Sequence, residues 1–179
     1  KGGDENFLLY GIDLDSGAER TLTDFENTRV QVFGTSETIR DKMLVGINNR
    51  DPRFHDAYLL DLNSGELTLV QQNDGYAGFM ADDNLELRMA VRPNAAGGMD
   101  FFTITYGEIA TEASESTGLE DSLTTQPAGF TTDGSTMYWI DSRGRNTAAL
   151  IAQDVATGEK TIIAENDKAD IGGAMSDPK

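Results

Sequence analysis

The chain of 179 residues contains no cysteine and one histidine. The missing thiols remove disulfides, thiolate metal sites and a cysteine nucleophile together. One imidazole without thiolates cannot furnish the three or four nitrogen and sulfur ligands of an ordinary zinc site. Positive charge is also scarce: 14 Lys+Arg stand against 31 Asp+Glu, a formal net charge of −17. Nucleic acid and an anionic membrane surface are therefore poor partners. No run of 18 or more apolar residues is present to span a bilayer as a helix. Glycine is followed nowhere by the Lys-Ser or Lys-Thr of a phosphate loop, so Gly2-Gly3 and Gly97-Gly98 read as irregular connections. Nor is there a Gly-x-Ser-x-Gly nucleophile turn.

What the chain does have is a recurring turn. Asp13-Leu14-Asp15-Ser16-Gly17 returns as Asp61-Leu62-Asn63-Ser64-Gly65 and as Asp154-Val155-Ala156-Thr157-Gly158. The glycines are 48 and then 93 residues apart, and a degraded copy stands between them at Tyr106-Gly107-Glu108. A second marker runs out of phase with the first: Phe33, Phe79, Phe130 and Met175 lie 46, 51 and 45 residues apart, each just before a polar turn. A period of roughly 45 residues marks an array of small structural units.

The clearest copy predicts the unit. Ala128 to Thr131 is a short strand, and Asp133-Gly134 is a turn that favours positive φ. Thr136 to Ile140 is a second strand, rich in β-branched and aromatic side chains. Asp141 to Thr147 is a polar loop, Ala148 to Val155 a third strand, and Lys160 to Ala164 a fourth. Four short strands joined by tight turns and repeated in this way describe β-propeller blades. The expected fold is all-β, a partial propeller of four-stranded antiparallel blades, with three complete blades and partial blades at both ends. The blades are placed at 1–26 (partial), 29–73, 75–124, 126–167 and 170–179 (partial). Phe7 to Leu14 and Glu19 to Thr23 would be the third and fourth strands of the first, and Ile171 to Met175 the first strand of the last. The stretch from Glu112 to Ser122, poor in apolar anchors, is expected to be a polar insertion between blades with a turn of helix. Exposed blade edges predict self-association.

Candidate chemistry is thin. His55 lies in Arg50-Asp51-Pro52-Arg53-Phe54-His55-Asp56, expected to be a loop. It is a base candidate beside Asp56 or Asp51, or more simply a residue bonded locally. Asp82-Asp83-Asn84 lacks the ligand series of a calcium loop and reads as a hairpin turn. The arginines are more informative. The loops between second and third strands, about 1–6, 48–56, 91–99 and 141–147, share one face and hold Arg50, Arg53, Arg92, Arg143 and Arg145, five of nine arginines. The guanidinium fork suits carboxylates. These five and His55 are the candidate contacts to substrate or to a neighbouring domain. The competing assignment is internal pairing with Asp51, Asp56 and Asp141.

Gly129-Phe130-Thr131-Thr132-Asp133-Gly134-Ser135, with Asp141-Ser142-Arg143-Gly144 and Asp154-x-x-Thr157-Gly158-Glu159, resembles the repeats of TolB-like propellers and of the propeller domain of the prolyl oligopeptidase family of serine peptidases. Lys1 to Tyr10, Asn48 to Tyr58 and Asp141 to Leu150 are similar to segments of bacterial members of the second group. That resemblance implies a parent with a propeller, usually of seven blades, and a separate α/β-hydrolase domain carrying Ser, Asp and His. None of these has a counterpart here, so no catalytic residue and no cofactor is expected in this chain. Such propellers admit short peptides and exclude folded proteins. The alternative is a stand-alone TolB-like binding propeller.

Overall fold

The computed structural model describes residues 5–175, so Lys1 to Asp4 and the expected turn Ser176-Asp177-Pro178 lie outside the described residues. Among the described residues, fifteen strands form four antiparallel sheets. β1 (Tyr10–Ile12) pairs with β2 (Glu19–Thr21). β3 (Val30–Thr35), β4 (Lys42–Asp51), β5 (Phe54–Asp61) and β6 (Leu67–Gln71) form the second sheet in that order. The third contains β7 (Gly78–Ala81), β8 (Leu87–Pro93) and β9 (Met99–Thr105), with β10 (Glu108–Ile109) and β11 (Glu115–Ser116) both on the outer edge of β9. β12 (Gln126–Phe130), β13 (Thr136–Asp141), β14 (Ala149–Asp154) and β15 (Lys160–Ala164) form the fourth. The fold is an open, partial β-propeller, as the repeat required.

The cores lie between sheets. Val30, Met43, Val45, Ile47 and Leu60 pack against Leu8, Leu9, Leu22 and Phe25. Leu44 and Ala57, from the other face of the same sheet, pack against Phe79, Ala90, Phe102 and Ile104 of the next. Met89 and Phe101 then meet Met137, Trp139, Ala149 and Ile151. Successive side chains on a strand point to opposite faces. An inner strand covered on both faces is therefore apolar throughout, and Met43 to Ile47 are all buried. The edge-on contact of Phe101 with Trp139, 5.0 Å between centroids, and of Phe33 with Phe79, 5.9 Å, join neighbouring sheets.

The repeated turn has a physical cause. Oδ1 of Asp13, Asp61 and Asp154 accepts backbone amides two or three residues on. Gly17, Gly65 and Gly158 close each turn by donating to the aspartate carbonyl, at φ of 70°, 79° and 74°. That left-handed conformation costs little only without a Cβ. At the degraded copy the turn shrinks to Tyr106 and Gly107, with φ of 51° and 80°, the pattern of a two-residue hairpin with both central residues left-handed.

Three local expectations are corrected. Residues 112–122 contain no helix, and part of them belongs to a blade: the outer strand of the third sheet breaks after Ile109 and resumes at Glu115, which pairs with Phe101, before a turn leads on to the fourth sheet. His55 is in a strand rather than a loop, because β4 and β5 run on to a tight turn at Pro52-Arg53. No strand forms over Ile171 to Met175; the Ile171 amide instead donates to the Ala148 carbonyl at 2.9 Å.

Candidate functional site

The strand order repeats from sheet to sheet, so the turns β4–β5, β8–β9 and β13–β14 emerge at the same end of each. All the sequence-derived site residues sit at this end, and four of the five arginines are held there by carboxylates. Arg50 donates Nε and Nη2 to the two carboxylate oxygens of Asp56, both at 2.8 Å, and Nη2 also to the Asn73 carbonyl at 2.6 Å. Burial pushes the Asp56 carboxyl up, and the Arg50 and Asn73 hydrogen bonds outweigh it and hold the group below its ordinary 3.8. Arg53 pairs with Asp51 at 2.8 Å. Arg143 forks onto Asp141 at 2.9 and 2.6 Å and reaches Glu115 of the neighbouring sheet at 2.7 Å. Arg145 pairs with Glu165.

His55 is not brought to a carboxylate. Asp56 is bound to Arg50 and Asn73, and Asp51 to Arg53. The imidazole Nε2 is buried without a partner among the described residues. Burial lowers its pKa from 6.5, with the Arg29 charge acting in the same direction, so the ring is neutral near pH 7. Asp82 commits its carboxylate to the amides of Asn84 and Glu86 and to Arg88.

Arg92 differs from the other four. Its guanidinium lies over the rings of Phe102 and Tyr76, 4.7 and 5.8 Å from the centroids. Among the described residues it has no ion pair. Asp100 stands directly opposite it in the β8–β9 register, but Asp100 Oδ1 accepts from Asn94 and Ser116.

Two features of this face escaped the sequence. Arg29 belongs to it: its amide donates to Asn48 and its guanidinium lies 5.7 Å from the Phe7 ring centroid. The second is a recurring latch. A residue two to six positions beyond three of the outer strands, and directly after the broken one at Ser116, bonds the backbone at the start of the preceding third strand. Thr23 Oγ1 accepts from Leu9 N at 2.9 Å, Thr117 Oγ1 from Met99 N at 2.9 Å, and Asp170 Oδ1 from Ala148 N at 2.7 Å. Asn73 makes the same closure by donating to the His55 carbonyl at 3.1 Å. The arrangement holds cations and turns firmly in place.

No protein-family model matches the chain. It is 46% identical over 178 residues to dipeptidyl aminopeptidase BIII of Pseudoxanthomonas mexicana, covering 99% of the chain and 26% of that protein. It is 25% identical over 190 residues to dipeptidyl peptidase family member 6 of Caenorhabditis elegans, covering 98% of the chain and 26% of that protein. The chain thus spans about a quarter of the length of these curated relatives. Among solved structures, TolB from Acinetobacter baumannii aligns with a TM-score of 0.54 at 14% identity over 87% of the chain and 37% of TolB. A prolyl endopeptidase aligns with a TM-score of 0.54 at 17% identity over 92% of the chain and 27% of that structure. These two likenesses concern the fold. The chain is a β-propeller segment homologous to part of a bacterial dipeptidyl aminopeptidase, in line with its resemblance to the propellers of the prolyl oligopeptidase family of serine peptidases.

Proposed function

We propose that this chain is the non-catalytic propeller portion of a serine peptidase of the prolyl oligopeptidase kind, and that it governs the access of short peptides to a separate α/β-hydrolase domain. The observation that carries the reading is the 46% identity to a dipeptidyl aminopeptidase along 99% of the chain. Fold alone would suit a stand-alone binding propeller equally, since TolB and the prolyl endopeptidase align with the same TM-score of 0.54. The sequence identity favours the peptidase reading. The absence of a nucleophile–base pair among the described residues fits a binding role, and His55, with neither neighbouring aspartate available to it, is not offered as a base.

Two assays test this. The 179-residue chain alone should leave a chromogenic dipeptide substrate intact. The protein that contains it should cleave short peptides and fall off sharply with substrate length. Turnover by this chain alone, or equal cleavage of short peptides and folded proteins by the whole protein, would overturn the proposal.

A further inference from the structure

The arginine-rich face is less basic than its sequence implies. Arg50, Arg53, Arg143 and Arg145 are each neutralised by an aspartate or glutamate. Arg50 has a second carboxylate, Asp74, at 3.3 Å. Of the five arginines named from the sequence, Arg92 alone has no ion pair among the described residues. It is exposed, and it is fixed from beneath by Phe102, itself 3% exposed, and by Tyr76. Tyr76 is held in turn by Asn73, whose side chain bonds both the amide and the carbonyl of Tyr76 at 2.8 and 2.9 Å. Asn73 is fully buried. The platform under Arg92 is therefore rigid, and Asp100, opposite it in the β8–β9 register, feels the Arg92 charge but hydrogen-bonds Asn94 and Ser116 rather than the guanidinium.

The two rings hold the cation by electrostatic attraction, and the Arg92 guanidinium makes no hydrogen bond among the described residues, so its fork of N–H donors is available. Little rotamer entropy remains to be lost when it binds. We propose that Arg92, on its Tyr76–Phe102 platform, is a carboxylate-binding point for a short peptide, its fork accepting the peptide's terminal carboxylate. Two cations of this face, Arg29 and Arg92, have no ion pair among the described residues; Arg29 lies over the exposed Phe7 ring, whereas Arg92 rests on a buried platform and presents a single fork, which fits one carboxylate. This assignment rests on the peptide-gating reading for its class of ligand and names the residue at which that ligand is held.

The test uses binding without hydrolysis, so its failure is separable from failure of the gating reading. N-acetyl-trialanine with a free carboxylate is titrated into this chain while the Arg92 Nε–H resonance is followed by NMR, and the C-terminal amide of the same peptide is titrated in parallel. The acid form should bind about tenfold or more tightly than the amide, the difference expected of a charge-assisted hydrogen-bond pair. Arg92→Gln should abolish that preference. Arg92→Lys, which retains the charge but not the fork, should keep only part of it. Arg40→Gln, at the opposite end of its sheet with Arg40 Nε on the Glu37 carbonyl, should leave it intact. Equal binding of acid and amide, binding of neither, or an unchanged preference in Arg92→Gln each overturns the assignment. So does an Arg92 resonance that moves only when a hydrolase domain is present.

Discussion

Replacing Thr117 by valine isolates the latch that closes each blade. Thr117 is 3% exposed; its Oγ1 accepts from Met99 N at 2.9 Å, and its own amide donates to the Met99 carbonyl at 2.8 Å. Valine preserves shape and apolar contact but removes the acceptor, leaving the Met99 amide unpaired at the first residue of β9. An orphaned donor in a buried site costs about 1–3 kcal/mol. Serine is the control: it keeps the acceptor and loses one methyl, a cavity loss of about 1 kcal/mol. Thr117→Val should therefore destabilise more than Thr117→Ser, although it buries more carbon. Native-state hydrogen exchange gives a local readout, and exchange at Met99 should speed up about tenfold or more in the valine variant, since 1.4 kcal/mol is a factor of ten. Thr23→Val should do the same to Leu9, and the two losses should add, because the latches share no partner. If Thr117→Val proved as stable as Thr117→Ser, or if Met99 kept its protection, the latch would be incidental and the reasoning refuted.

A Cβ at Gly46 would stand 2.2 Å from Phe33 Cζ, so Gly46→Ala should cost about 1–3 kcal/mol by overpacking, and pairing it with Phe33→Leu should recover part of the loss in a urea-denaturation cycle. Acid should loosen the contact between the third and fourth sheets. Burial pushes the Glu115 and Asp141 carboxyls up, but Lys160 and Arg143 at Glu115, and Arg143 at Asp141, outweigh it and hold both below their ordinary 4.5 and 3.8. For groups whose folded pKa is depressed, the stabilisation is fully present above the ordinary value and is lost as pH falls through the folded one. Thermal unfolding followed through Trp139 fluorescence should thus be flat near neutrality and shift downward below about pH 4, and Glu115→Gln should blunt that shift.

The legible and illegible parts of this chain divide along physical lines. The Asp-x-x-Ser-Gly turns could be read because their conformation admits few residues: a carboxylate must accept neighbouring amides, and a glycine must turn left-handed. The latch could not, because its geometry accepts any short polar side chain. Thr23, Asn73, Thr117 and Asp170 follow the turn glycines Gly17, Gly65, Gly107 and Gly158 by 6, 8, 10 and 12 residues, so neither identity nor spacing repeats. The resumed strand at Glu115 was hidden for a related reason. Its charge looks solvated in sequence, yet Arg143 and Lys160 of the next sheet supply its partners, and such partners are visible only across a blade interface. Counting arginines likewise located the face but not its chemistry. In a chain with 31 acidic residues against 14 basic ones, most guanidinium groups find an internal carboxylate, as Arg50 and Arg143 do. A guanidinium that does not, and that rests on rings while its cross-strand Asp100 bonds elsewhere, is the informative one.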